Sequence, residues 1–156
     1  MSNHKKITPT NLIFDLHGVI FDYDGEKPND SVHILTPGLK ILQNCANQID
    51  QFGKKLHKIY ILSNWGKIGF TKLKTQFPEI MALFDGCVIS GECDYSKPQA
   101  EIFELLIARY HLQNQRCIFI DDMAINVAAA AQFGWTGIFY TDPKHVTNLL
   151  QTFHVL

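Results

Sequence analysis

Several apolar runs in this 156-residue chain end in groups that can do chemistry. Leu12-Ile13-Phe14 closes on Asp15, with Gly18 soon after. Lys58 to Leu62 closes on Ser63-Asn64, and Cys117 to Ile120 closes on Asp121-Asp122. Lys97 lies in a loop ahead of Pro98. Taken singly, each has an ordinary explanation. A strand-end Ser or Asp often caps the helix that follows, and a loop lysine is normally a solvated charge. Taken jointly, they are the parts of a phosphoryl-transfer site: a nucleophile, groups to hold phosphate oxygens, a fixed cation and carboxylates for Mg²⁺. A carboxylate such as Asp15 can itself attack phosphorus.

These groups meet only if their strands are neighbours. The first run, with no polar interruption, reads as a strand covered on both faces. Val19 to Leu35 is turn-rich and acidic (Asp22, Asp24, Glu26) and reads as a short flap or hairpin. Thr36-Pro37 starts a helix, with the threonine hydroxyl as cap. Leu42, Cys45, Ala46 and Ile49 continue it at helical spacing, and Gly53 ends it. Further helices are expected at 67–76, briefly at 79–84, then at 101–110, 124–133 and 145–152. Strands are expected at 58–62, 87–90, 117–120 and 137–140. Strands alternating with helices predict a three-layer α/β fold, a mainly parallel sheet with helices on both faces. Ligands of such sheets bind at the carboxyl ends of the strands.

The length fits one domain, 1–156, with residues 1–10 as a polar tail and 19–35 as the flap. Net charge is −1, so total charge gives no argument for nucleic acid. Cys45, Cys87, Cys93 and Cys117 form no C-x-x-C pair and read as reduced thiols of a cytoplasmic protein. No run is long enough to span a membrane, and the polar N-terminus has no signal-peptide core. A dinucleotide fingerprint and a Walker loop are both missing.

The local wording resembles the haloacid dehalogenase-like (HAD) hydrolase superfamily, in its phosphatase-type, minimal-cap form. The resemblance lies in Phe14-Asp15-Leu16-His17-Gly18-Val19, then Ile61-Leu62-Ser63-Asn64, then Ser96-Lys97-Pro98, then Phe119-Ile120-Asp121-Asp122 with Asn126 following. It implies a Rossmann-like core and Mg²⁺-dependent hydrolysis of a phosphomonoester through an aspartyl-phosphate. By that likeness Asp15 is nucleophile and metal ligand, and the His17 carbonyl is a second ligand. Ser63 and the amide of Asn64 hold the phosphate, and Lys97 neutralises charge. Asp122 binds the metal, with Asp121 beside it or acting through water.

Two departures matter. Most phosphatases of the family carry a second Asp where this chain has His17. An imidazole can serve as acid and base. Beside Mg²⁺ and Lys97 it is better suited to accept a proton from water than to give one to an alkoxide. Hydrolysis is therefore expected to be slow and to favour good leaving groups. The chain also has no room for a cap domain, so the site should be open, or covered by a second subunit in a homo-oligomer. Two alternatives stand beside the phosphatase: a non-catalytic HAD-like domain that binds a phosphorylated ligand or protein, and a dehalogenase-like hydrolase. The paired Asp121-Asp122 argues for metal, and so for phosphate.

Overall fold

The computed structural model describes residues 6–23 and 31–156. In chain order the elements are β1 (Asn11–Phe14), β2 (Phe21–Tyr23), β3 (Val32–Ile34), α1 (Thr36–Ala46), β4 (Lys58–Ser63), α2 (Lys67–Gln76), α3 (Pro78–Met81), β5 (Gly86–Ile89), α4 (Ala100–Tyr110), β6 (Cys117–Asp121), α5 (Ala124–Ala131), β7 (Thr136–Phe139) and α6 (Pro143–Thr152).

β1 is central in a five-stranded sheet of order β5-β4-β1-β6-β7, and every pairing in it is parallel. Its four residues are all buried. Side chains alternate across the sheet as the period of two requires. Leu12 and Phe14 face a core built with α1, α2 and α6, through Leu42, Phe70 and Leu150. Ile13 faces the opposite core, built with α4 and α5 through Phe103, Leu106 and Ala130. Helices thus cover both faces, the three-layer Rossmann-like arrangement predicted from the sequence. Each fully buried Leu, Ile or Phe contributes about 1.5–3 kcal/mol, so two such cores make β1 the hardest element to displace.

The chain runs from β1 outward to β4 and β5, then returns to the other side of β1 for β6 and β7. That reversal opens a crevice between the carboxyl ends of β1 and β6. Where a cap domain would stand, β2 and β3 form a small antiparallel hairpin. Asp24 and Glu26 of the acidic flap lie outside the described residues, as do Met1 to Lys5 of the tail. Further along the tail, Thr8 N–H donates to the His154 carbonyl at 2.7 Å and Thr10 is buried.

Two local expectations are corrected. α1 stops at Ala46 rather than at Gly53, and Ile49 is exposed rather than in the core. The Asp50 carboxylate accepts from Phe52 N–H and Lys54 N–H, and this local bond pulls the chain into a tight turn instead of another helical turn. Thr36 is the first helical residue and caps nothing with its side chain; Leu35 is the cap.

Candidate functional site

Three of the predicted strand ends converge with the Lys97 loop. Phe14 pairs with Ile61 of β4 on one side and Ile120 of β6 on the other. Asp15 and Asp121 therefore emerge side by side, with Ser63 one residue further along β4. Asp15 N–H continues the ladder to the Ile120 carbonyl at 2.9 Å. Lys97 reaches in from its loop, its side chain only 1% exposed. Its ammonium contacts Asp15 Oδ1 at 3.0 Å and Asp121 Oδ2 at 2.6 Å, and lies 5.5 Å from the centre of the Phe119 ring. A buried ammonium held between two buried carboxylates offsets charges that burial would otherwise make very costly.

The twin acids are not equivalent. Asp121 is fully buried and committed to the protein: it accepts from Lys97 Nζ, from Asn126 Nδ2 through both oxygens, and from Met123 N–H. Asp122 lines the cavity and its carboxyl group meets that of Asp15. The oxygens of Asp15, Asp121 and Asp122 all lie within 4.8 Å of one another. Burial pushes the Asp15 carboxyl up to about 7, against the pull of the Lys97 ammonium. Asp122 is also raised, first by burial and then by the charge of Asp121. Three clustered carboxyl groups against one ammonium are, when ionised, short of two positive charges, which fits a divalent cation; hard oxygen donors are what Mg²⁺ takes.

Gly18 makes this contact possible. Its φ of +74° lies in the left-handed region, and a Cβ there would fall 2.0 Å from Asp122 Oδ2. Close approach and backbone geometry both require glycine.

The remaining groups surround a cavity of about 200 Å³. Ser63 is 1% exposed, and its Oγ finds no hydrogen-bond partner among the described residues. An orphaned buried hydroxyl in a cavity wall is ready for a ligand. The Asn64 side chain is spent on the Lys97 backbone, its Oδ1 accepting from Lys97 N–H and its Nδ2 donating to the Lys97 carbonyl. His17 stands at the rim, Nε2 3.2 Å from Asp22 Oδ1. A carboxylate only accepts, so Nε2–H is the donor and Nδ1 is the ring atom left open. Tyr23 and Trp65 complete the wall, and Trp65 Nε1–H is buried without an acceptor among the described residues.

All the residues expected from the sequence are thus brought together: Asp15, His17, Ser63, Asn64, Lys97, Asp121 and Asp122. Sequence reasoning gave no role to Asn126, Tyr23 or Trp65. For Asn126 a signal existed, a polar residue among the alanines of a helix face directed at β6.

A family model described as a haloacid dehalogenase-like hydrolase matches residues 49–134, more than half of the chain. The chain belongs to that family of hydrolases. The matched stretch holds Ser63, Lys97, Asp121 and Asp122, and β1 adds Asp15 to them in space. Solved structures share the fold. A HAD family enzyme from Bacteroides thetaiotaomicron, crystallised with magnesium and inorganic phosphate, superposes with a TM-score of 0.69 at 19% identity, covering 88% of this chain and 98% of that one. A HAD-superfamily hydrolase from Ehrlichia chaffeensis gives a TM-score of 0.69 at 12% identity, covering 95% and 98%. An uncharacterized protein from Corynebacterium glutamicum gives 0.64 at 22%, covering 93% and 95%. Among the described residues no helix is long and apolar enough to cross a membrane.

Proposed function

We propose that this hydrolase is a single HAD-like domain that cleaves phosphomonoesters with Mg²⁺ through an aspartyl-phosphate on Asp15. The observation that carries the reading is the placement of Lys97 between Asp15 and Asp121, with Asp122 against Asp15 and the unpaired Ser63 hydroxyl across the same cavity. In such a site Ser63 Oγ–H and the Asn64 N–H hold phosphate oxygens, and Lys97 balances their charge. Asp15 and Asp122, with the His17 carbonyl, would hold Mg²⁺. Bound there, the ion would offset the negative charge of the phosphoryl group as the bond to the leaving oxygen breaks. Asp121 keeps Lys97 in place rather than taking the ion itself, because its lone pairs are already occupied.

The Asp15 carboxylate forms a bond to phosphorus while the bond to the alcohol oxygen breaks. The alcohol oxygen leaves with the electron pair of that bond and takes a proton from solvent water; the hydroxide left behind is neutralised by the proton that His17 later returns to solvent. Water then attacks the aspartyl-phosphate, and His17 Nδ1 accepts the proton that water loses. Inorganic phosphate and a free Asp15 carboxylate result. The free thiols of Cys45, Cys87, Cys93 and Cys117 suit a reducing compartment, and we place the protein in the cytoplasm.

The test is p-nitrophenyl phosphate turnover with and without Mg²⁺. Activity that needs Mg²⁺ and vanishes in Asp15→Asn supports the reading. Mg²⁺-dependent turnover that survives in Asp15→Asn excludes the aspartyl intermediate. Chloride release from a haloacid without metal would favour the dehalogenase branch instead.

A further inference from the structure

We propose that Tyr23 and Trp65, with the ring of His17, form a wall that receives a planar aromatic group carried by the alcohol half of the substrate. The inference rests on the phosphomonoester reading above and adds the substrate class to it. The three rings form one cluster. His17 and Tyr23 have centroids 4.6 Å apart, their planes tilted by 33°. Trp65 meets Tyr23 edge-on at 5.9 Å and His17 at 6.3 Å. All three line the cavity that holds Asp15, Ser63 and Lys97.

Sequence ties this wall to the phosphate handles. His17 lies two positions beyond Asp15, and Trp65 two beyond Ser63. Because the rings share one cavity with Ser63 and Lys97, the alcohol portion of an ester held by those two has the rings as neighbours. Trp65 is itself buried and belongs to the core cluster that includes Leu12 and Phe14 of β1, so the wall is anchored in the fold rather than carried on a loose loop.

Leaving-group acidity must be separated from ring recognition. 2-Phenylethyl phosphate and 2-cyclohexylethyl phosphate do this: both release primary alcohols of similar acidity and similar bulk. The wild type is expected to favour the phenyl ester in kcat/KM by about 3- to 10-fold, mainly through KM, the range that aromatic pairing supplies beyond area alone. Tyr23→Leu should remove most of that preference, and Tyr23→Phe should restore it. Equal rates on the two esters, or a preference unchanged in Tyr23→Leu, would overturn the wall while leaving the phosphatase intact. If neither ester nor p-nitrophenyl phosphate is turned over, the phosphatase reading is what fails. The wall is then read from binding of phenylphosphonate against cyclohexylphosphonate by calorimetry. Tighter phenyl binding supports it, and equal binding overturns it.

Discussion

The Asn64 side chain spans the backbone of Lys97, accepting from its N–H at 2.8 Å and donating to its carbonyl at 3.0 Å. One strand-end residue thereby fixes the loop that delivers the only ammonium in contact with Asp15 among the described residues. Asn64→Ala removes both bonds. The expected loss is about 1–3 kcal/mol of stability, read as a lower urea midpoint with an unchanged slope. Because Lys97 would then be loosely placed, kcat/KM should fall further than the stability loss explains, on the order of 10- to 100-fold.

Lys97→Met tests the buried charge balance. The variant leaves Asp15 and Asp121 facing each other without a cation. The expected cost is about 3–5 kcal/mol, measured by urea unfolding without metal. The cost should be greater at pH 8 than at pH 5, because protonation at low pH relieves the repulsion. A loss independent of pH would argue that Lys97 matters only for packing.

The raised carboxyls make metal binding and proton binding compete. Asp15 titrates at about 7 in the fold, against the usual carboxylate value of 3.8. Between those values the native state holds a proton that the unfolded chain has released. Stability from this group is complete below the unfolded value and is lost as pH rises through the folded one. In EDTA, Tm should therefore fall from pH 5 to pH 7.5, and Asp15→Asn should flatten that fall. Mg²⁺ affinity should strengthen over the same interval, with calorimetry recording proton release on binding.

Gly18→Ala should separate metal binding from folding. The added methyl meets Asp122 Oδ2, and the left-handed backbone costs roughly 1–2 kcal/mol for any residue with a Cβ. A modest drop in Tm is expected together with a large loss of Mg²⁺ affinity. Isothermal titration and thermal melts on the same sample check both.

Much of the fold was legible because β1 and β6 are nearly continuous apolar runs, and apolar runs that stop at carboxylates announce strand ends in a parallel sheet. The gathering of Asp15, Ser63, Lys97 and Asp121-Asp122 followed from that alternation and from the family wording. The family wording already set Asp122 apart as the metal ligand, but the way Asp121 is committed to the protein was not legible. It depends on Asn126 and Met123 N–H saturating one carboxylate, which is a matter of three-dimensional hydrogen bonding. The Asp22 contact with His17 was hidden for a similar reason. Reading Val19 to Leu35 as an acidic flap gave each acid the same status, and the contact is visible only once β2 is placed beside His17. Ile49 misled because helical spacing continued past the point where Asp50 offered the backbone a local alternative.

Asp15 N–H belongs to the same ladder of bonds that joins the two middle strands of the sheet. The candidate nucleophile hangs from the last rung of the scaffold rather than from a loop. Displacing it requires breaking the β1–β6 pairing itself, and the Asp15 amide should rank among the slowest to exchange with heavy water.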